Sequence, residues 1–183
     1  QSVLADRTGR LWVSAMGDGL WSGDGTGLRP VSSDESGGRN VIALFEDARG
    51  RIWSSSAAGR MSRSDGNSSR VFDSSDGLPP DAATCFAESN NGDLWVAGES
   101  GVFRRSGERP FTEVRNADGA AIRHIVCLKA DPDGSIWLGS SDRGLLRWKE
   151  GRIAVLDADH GLPVNAVDGI VGDDLGFYWM PSG

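Results

Sequence analysis

Cysteine is almost absent from this 183-residue chain, which contains only Cys85 and Cys127. Two thiols are too few for a disulfide scaffold, and their spacing matches no zinc site. Histidine is equally scarce, with His124 and His160 alone. There is no G-x-S-x-G, no H-E-x-x-H and no phosphate loop. Aspartates are plentiful, but nothing in their spacing pairs two of them as acid and base. Lysine occurs only at Lys129 and Lys149, so nearly all positive charge is arginine, which reads as genome composition rather than function. Positive charge is also in deficit. Nineteen Lys+Arg stand against 26 Asp+Glu, a net charge of −7 with a pI near 4.8. That argues against a nucleic-acid binder, which needs a basic surface, and against an anionic membrane face. No apolar run approaches the ~18 residues of a membrane span. The chain opens on Gln1 rather than Met, with no signal peptide, which reads as a native start that is missing or processed.

What the chain does have is glycine and tryptophan, 26 and 7 residues. With 38% hydrophobic and 25% charged residues it is globular. Glycine with β-branched and aromatic residues points to many short strands joined by tight turns. The dominant pattern is a repeat. A glycine precedes a tryptophan by three residues at Gly9/Trp12, Gly50/Trp53, Gly92/Trp95, Gly134/Trp137 and Gly176/Trp179, with glycine steps of 41, 42, 42 and 42. An apolar stretch precedes each glycine, such as VIALFE from Val41 and IVCLKA from Ile125. A second glycine after the tryptophan opens a third stretch (Gly19, Gly59, Gly101, Gly144), and a weaker fourth follows, as in RIAVL from Arg152. Four strands per ~42 residues is the spacing of a propeller blade. The strands of each unit are lettered A to D in chain order.

The A–B turn carries Asp three residues before glycine in four of the five units, at Asp6, Asp47, Asp131 and Asp173. Asp closes an Asx turn and Gly supplies a positive φ, so the turn reads as structural. Asp131-Pro-Asp133-Gly134 hints at calcium but lacks the other oxygen ligands of a loop site, so no metal and no cofactor is expected. The tryptophans read as packing between adjacent blades, with carbohydrate stacking as second choice. Cys85 and Cys127 share a repeat position that holds Ser2, Ala43 and Gly169 in the other units. A small residue is wanted there, and equivalent atoms of neighbouring blades usually lie beyond disulfide reach. Both read as buried free thiols.

In a propeller the D–A and B–C connections meet on one face around the axial channel. The residues starting strand A are Arg39, Asp81, Arg123 and Asn165, followed by Asn40 and His124. The B–C loops add Asp18, Glu99, Asp142 and Arg143. This polar rim fits a small polar ligand or a partner loop; a plain solvated rim is the competing reading. Two D–A connections share a string, Asp76-Gly77-Leu78-Pro79 and His160-Gly161-Leu162-Pro163, read as a repeated turn.

The succession of GLP, an apolar strand, D-x-x-G-x-[LI]-W-[VL]-G and a G-L-x-R strand resembles the two-component regulator propeller repeat. The clearest copy runs through Asp131-Pro-Asp-Gly-Ser-Ile-Trp137-Leu-Gly139 and Gly144-Leu-Leu-Arg147, with Gly161 beyond. Blade two departs most, with SSSAAG after Trp53. That family's repeats form periplasmic sensor regions of bacterial histidine kinases, hybrid kinases or diguanylate cyclases, and its members often sense sugars or polymer fragments. The resemblance therefore implies a non-catalytic, periplasmic, ligand-sensing segment that transfers no ligand residues. Its partners would be an unknown small polar or saccharide ligand, the remaining blades and downstream signalling domains. The Gly-Asn/Asp-Leu-Trp unit also resembles the streptogramin lyase propellers, which implies an enzyme with a catalytic histidine, and His124 would have to fill that role. A protein-docking propeller with no small ligand is the third reading.

The sequence thus predicts an all-β propeller segment with antiparallel four-stranded blades at about 1–40, 41–82, 83–124 and 125–166 and a half blade at 167–183. Seven 42-residue blades would need 7 × 42 = 294 residues against 183. The chain therefore reads as a piece of a longer propeller, able to self-associate through open blade edges.

Overall fold

The computed structural model describes residues 2–15, 17–66, 68–163, 165–173 and 177–180. Gly176 of the fifth Gly/Trp pair and the terminal Pro-Ser-Gly lie outside the described residues. The strands are β1 (Val3–Ala5), β2 (Leu11–Ala15), β3 (Gly19–Gly23), β4 (Leu28–Pro30), β5 (Val41–Glu46), β6 (Ile52–Ser56), β7 (Met61–Ser64), β8 (Ser69–Phe72), β9 (Cys85–Glu88), β10 (Leu94–Ala97), β11 (Val102–Arg105), β12 (Thr112–Val114), β13 (Ile125–Ala130), β14 (Ile136–Ser140), β15 (Leu145–Lys149), β16 (Arg152–Leu156), β17 (Val171–Gly172) and β18 (Tyr178–Trp179). They form four antiparallel four-stranded sheets, each made of consecutive strands, and one two-stranded sheet. The helices among the described residues are two three-residue 3₁₀ turns, Ser74–Asp76 and Ala158–His160. Each follows an Asp N-cap and ends on a left-handed glycine, Gly77 (φ 86°) or Gly161 (φ 98°). The repeated Gly-Leu-Pro string thus encodes a capped turn. The chain divides into two compact units, residues 1–84 and 85–183, each holding two blades.

The A–B turns show why the repeat is written as Asp-x-x-Gly-x-x-Trp. In the first unit Asp6 Oδ1 accepts the backbone N–H groups of Thr8 and Arg10 at 2.9 and 3.0 Å. Asp47 Oδ1 does the same for Arg49 and Arg51 at 3.0 and 2.9 Å. The second carboxylate oxygen accepts the indole N–H of the same unit's tryptophan. This bond recurs at Trp12–Asp6, Trp53–Asp47, Trp137–Asp131 and Trp179–Asp173, at 2.9, 2.9, 3.1 and 2.9 Å. The third unit has Ser89 where the others have Asp. There the indole N–H of Trp95, 1% exposed, has no hydrogen-bond partner among the described residues. Burying an aromatic of ~200 Å² contributes on the order of 5 kcal/mol, against ~1–3 kcal/mol for an unsatisfied buried donor. Packing therefore wins, and Trp95 stays buried without its carboxylate.

Register supplies a second partner for each ring. The strand-C residue opposite the tryptophan is Arg63, Arg104 or Arg147 in blades two to four. Each guanidinium lies over its ring, 5.7, 5.8 and 5.3 Å from the centroid. Blade one has Ser22 opposite Trp12, and Arg10 covers that ring instead, at 5.4 Å, while donating to Ser22 Oγ at 2.8 Å. In the second unit Trp95 of blade three meets Trp148 of blade four edge-on at 4.7 Å, and Trp137 meets Tyr178 of the two-stranded sheet at 5.8 Å. These tryptophans pack between adjacent blades, as their recurrence suggests. Trp53 instead stacks at 5.3 Å on Phe72 of its own sheet.

Both cysteines are free and partly buried. Cys127 Sγ approaches the Val167 carbonyl oxygen at 3.6 Å, and a Cβ on Gly139 would collide with that sulfur. Crowding thus explains the small residue in the repeat. Burial pushes the Cys127 thiol up to about 11, so its thiolate, the nucleophilic form, is scarce at neutral pH. In a DTNB assay at pH 8, Cys127 is expected to react far more slowly than a free thiol and to reach the free rate in denaturant. Equal rates in both conditions would contradict the packing described.

Candidate functional site

The second unit gathers the larger part of the predicted rim. The connection from β12 to β13 ends at His124, whose φ of 61° lies in the left-handed region. A non-glycine residue there carries strain of ~1 kcal/mol or more. Two backbone bonds hold it: His124 N–H donates to the Glu99 carbonyl at 3.3 Å, and Ser141 N–H donates to the His124 carbonyl at 3.0 Å. The B–C loops of blades three and four are therefore pinned to the same residue. The imidazole Nδ1 sits 3.5 Å from Glu99 Oε1 and 3.7 Å from Asp142 Oδ2, with all three side chains exposed to solvent. Asp142 is aimed by the buried Ser140, whose hydroxyl donates to Asp142 Oδ1 at 2.9 Å and accepts the Arg143 N–H at 3.2 Å. Ser140 is the supporting residue that sequence reasoning missed. Its signal lay in the Ser-Ser-Asp run closing strand B, where a hydroxyl can cap a turn two residues on.

Arg123 and Arg143 are exposed, and neither side chain has a hydrogen bond or ion pair among the described residues. Asn165 serves the scaffold instead. Its Oδ1 accepts the Ala158 N–H at 2.8 Å and its carbonyl accepts the Gly144 N–H at 2.7 Å. His160 is likewise local, its Nδ1 2.7 Å from Asp157 Oδ1. That contact heads the causes holding the Asp157 carboxyl below its ordinary value.

The first unit carries the rest of the prediction. Asn40 is also committed to the scaffold, with Oδ1 accepting the Gly17 N–H at 3.0 Å and its carbonyl accepting the Ala57 N–H at 2.8 Å. Arg39 is exposed and lines, with Asp18 and Ser33, a shallow cavity of about 260 Å³. Asp81 is half-buried, next to the Pro80 carbonyl that closes against Gly59. The rim of the second unit by itself offers charged and hydrogen-bonding groups of both signs on loops fixed by main-chain bonds. Its His124–Glu99–Asp142 cluster presents an exposed imidazole between two carboxylates. Asp131 and Asp133, the calcium-like pair, are occupied otherwise: Asp131 by the Tyr178 hydroxyl and Trp137, Asp133 by Arg147 and Lys149. The Lys149 ammonium comes first among the causes that hold the Asp133 carboxyl well below its usual range.

No family model and no curated protein matches the chain. Solved structures do. One is an extracellular domain ascribed to the hybrid two component system BT4673 of B. thetaiotaomicron, with a TM-score of 0.78 and 18% identity over 98% of this chain. Another is virginiamycin B lyase from Staphylococcus aureus, with a TM-score of 0.75 and 15% identity over 97% of this chain. A third is a gluconolactonase, XC5397 from Xanthomonas campestris, with a TM-score of 0.65 and 14% identity over the whole chain. The chain spans 24%, 61% and 69% of the three, in that order. At these identities the likeness establishes the fold: an all-β propeller segment of four four-stranded blades and a partial one.

Proposed function

We propose that the chain is the ligand-sensing propeller segment of an extracytoplasmic bacterial signalling receptor, placed in the periplasm, and that the rim binds a small polar or saccharide ligand. The observation that carries this reading is the rim of the second unit. His124 is held in a strained backbone by bonds to both B–C loops, while Arg123, Arg143 and Glu99 keep exposed charges on that frame. Rigid loops whose two arginines have no side-chain partner among the described residues suit recognition, because little ordering entropy is lost on binding. Likeness to the extracellular domain of a hybrid two component system supports the same reading. The blades at 1–40, 41–82, 83–124 and 125–166 and the half blade from 167 would belong to a longer propeller, with further blades and signalling domains as partners. Phe177 and Trp179 of the partial blade are 62% and 64% exposed, apolar surface of the kind another blade covers. Signalling would follow if ligand favours one of two geometries over the other.

A panel of neutral and acidic oligosaccharides screened by thermal shift tests the reading. At least one class is expected to raise the melting temperature saturably, with the shift lost in an Arg123→Ala/Arg143→Ala variant. The lyase reading is favoured by one observation, the imidazole set between two carboxylates. Turnover of a streptogramin B substrate, abolished by His124→Ala, would replace the sensor with the enzyme.

A further inference from the structure

The seams between blades inside each unit are equivalent by register, and two of the positions at which they differ lie on strand C. In the second unit Arg104 pairs with Trp95 and Trp148 pairs with Ile136. In the first unit the corresponding residues are Ser22, paired with Trp12, and Ser64, paired with Ile52. Two large side chains are thus replaced by two serines. The space that Trp148 fills against Trp95 is open beside Trp12. The cavity beside Trp12 measures about 490 Å³ and that beside Trp95 about 230 Å³. The larger value lies within the ~300–1,000 Å³ of small-molecule sites. Its lining includes the apolar Val31, Ile52 and Trp12 and the charged Arg29 and Glu35.

The charges around this cavity sort by commitment. Asp6 gives both oxygens to its turn and to Trp12, Arg10 is engaged with Ser22 and the Trp12 ring, and Asp65 accepts from Ser68. Arg29 and Glu35 are exposed, and their side chains make no hydrogen bond or ion pair among the described residues. One guanidinium and one carboxylate thus line the same cavity as Val31, Ile52 and Trp12. We propose that this seam, on the turn-bearing side of blades one and two and distinct from the rim, binds a free aromatic amino acid. The ring enters the space that Trp148 occupies in the other seam. Arg29 pairs with the ligand carboxylate in a fork-like contact, and Glu35 accepts from its ammonium.

Isothermal titration of the intact chain with L-tryptophan and L-phenylalanine tests this. A ligand of this size is expected to bind with a Kd of about 1 mM or below. Indole, which lacks the charges, and glycine, which lacks the ring, should each bind at least about tenfold more weakly, the loss of one anchor contact. Ser64→Trp fills the slot and Glu35→Gln removes the ammonium acceptor, so each should weaken binding by about tenfold or more. Arg123→Ala, at the rim, should leave it unchanged. Glu35 is exposed, so its variant keeps the test valid if Ser64→Trp does not fold. The proposal is overturned by absence of saturation up to about 10 mM, by indole binding as well as L-tryptophan, or by full binding in the Glu35→Gln chain. None of these outcomes touches the saccharide test at the rim.

Discussion

Replacing Asp47 with alanine is expected to destabilise the chain by about 3 kcal/mol or more, the cost of breaking a buried charged network. Asp47 is 2% exposed and accepts four bonds: two backbone N–H groups of its own turn, Arg51 Nε at 2.6 Å and Trp53 Nε1 at 2.9 Å. Alanine opens the turn, removes one partner of the half-buried Arg51 guanidinium and leaves a fully buried indole N–H unsatisfied. For a chain of this size the melting temperature should fall by roughly 6–12 °C. Asp47→Asn keeps an acceptor for the turn and should lose about half as much. Asp6→Ala is a milder control, because Asp6 has no arginine on its carboxylate and lies nearer solvent. Urea melts of the three variants give the order; an Asp47→Ala chain as stable as the parent would show the network contributes nothing.

The same carboxylate predicts the pH response. Burial opposes ionisation of Asp47, but the bonds from Trp53 and Arg51 outweigh it and hold its pKa below the ordinary value. A carboxyl with a depressed folded pKa binds its proton more tightly in the unfolded chain. Its contribution is therefore complete above the unfolded value of about 3.9 and is lost as pH falls through the lower folded value. The stability gap between parent and Asp47→Ala should be constant from neutrality to about pH 5 and shrink below about pH 4.

The opposite change is expected in blade three. Ser89→Asp places a carboxylate where four of the five units already have one, within reach of the buried Trp95 N–H. Satisfying that donor should stabilise by about 1–2 kcal/mol, raising the melting temperature by roughly 2–8 °C. Asp93 nearby adds like charge, but Arg104 lies 3.8 Å from it and offsets part of that cost. A cycle with Trp95→Phe isolates the bond: the gain should vanish in the phenylalanine background, which has no indole donor. An undiminished gain there would assign the effect to the turn alone.

These two predictions mark where the repeat could be read and where it could not. Strand order, blade architecture and the turn positions follow from the 42-residue spacing, because a period-2 strand between Gly-based turns has little conformational choice. Asp6, Asp47 and Asp131 were legible as turn formers for that reason. Their second bond, to an indole six residues on, was not, since it depends on strand A and strand B turning the tryptophan back over its own A–B turn. The free state of both cysteines was also legible, from the small residues sharing their position.

The rim was legible only as a set of loop positions. That Asn40 and Asn165 spend their side-chain oxygens on backbone N–H groups, while Arg123 and Arg143 do not, is set by loop geometry that no spacing encodes. The cluster of His124, Glu99 and Asp142 joins three loops that are 25 and 18 residues from one another in order along the chain. The seam cavity holds the sharpest contrast. Ser64 and Trp148 occupy one repeat position and were visible side by side in the sequence, yet their consequence is a volume. Sequence by itself determined which residues are equivalent, through the period of the fold. Only tertiary packing decided which equivalent positions are filled, paired or left open, because that depends on side chains brought together from adjacent blades.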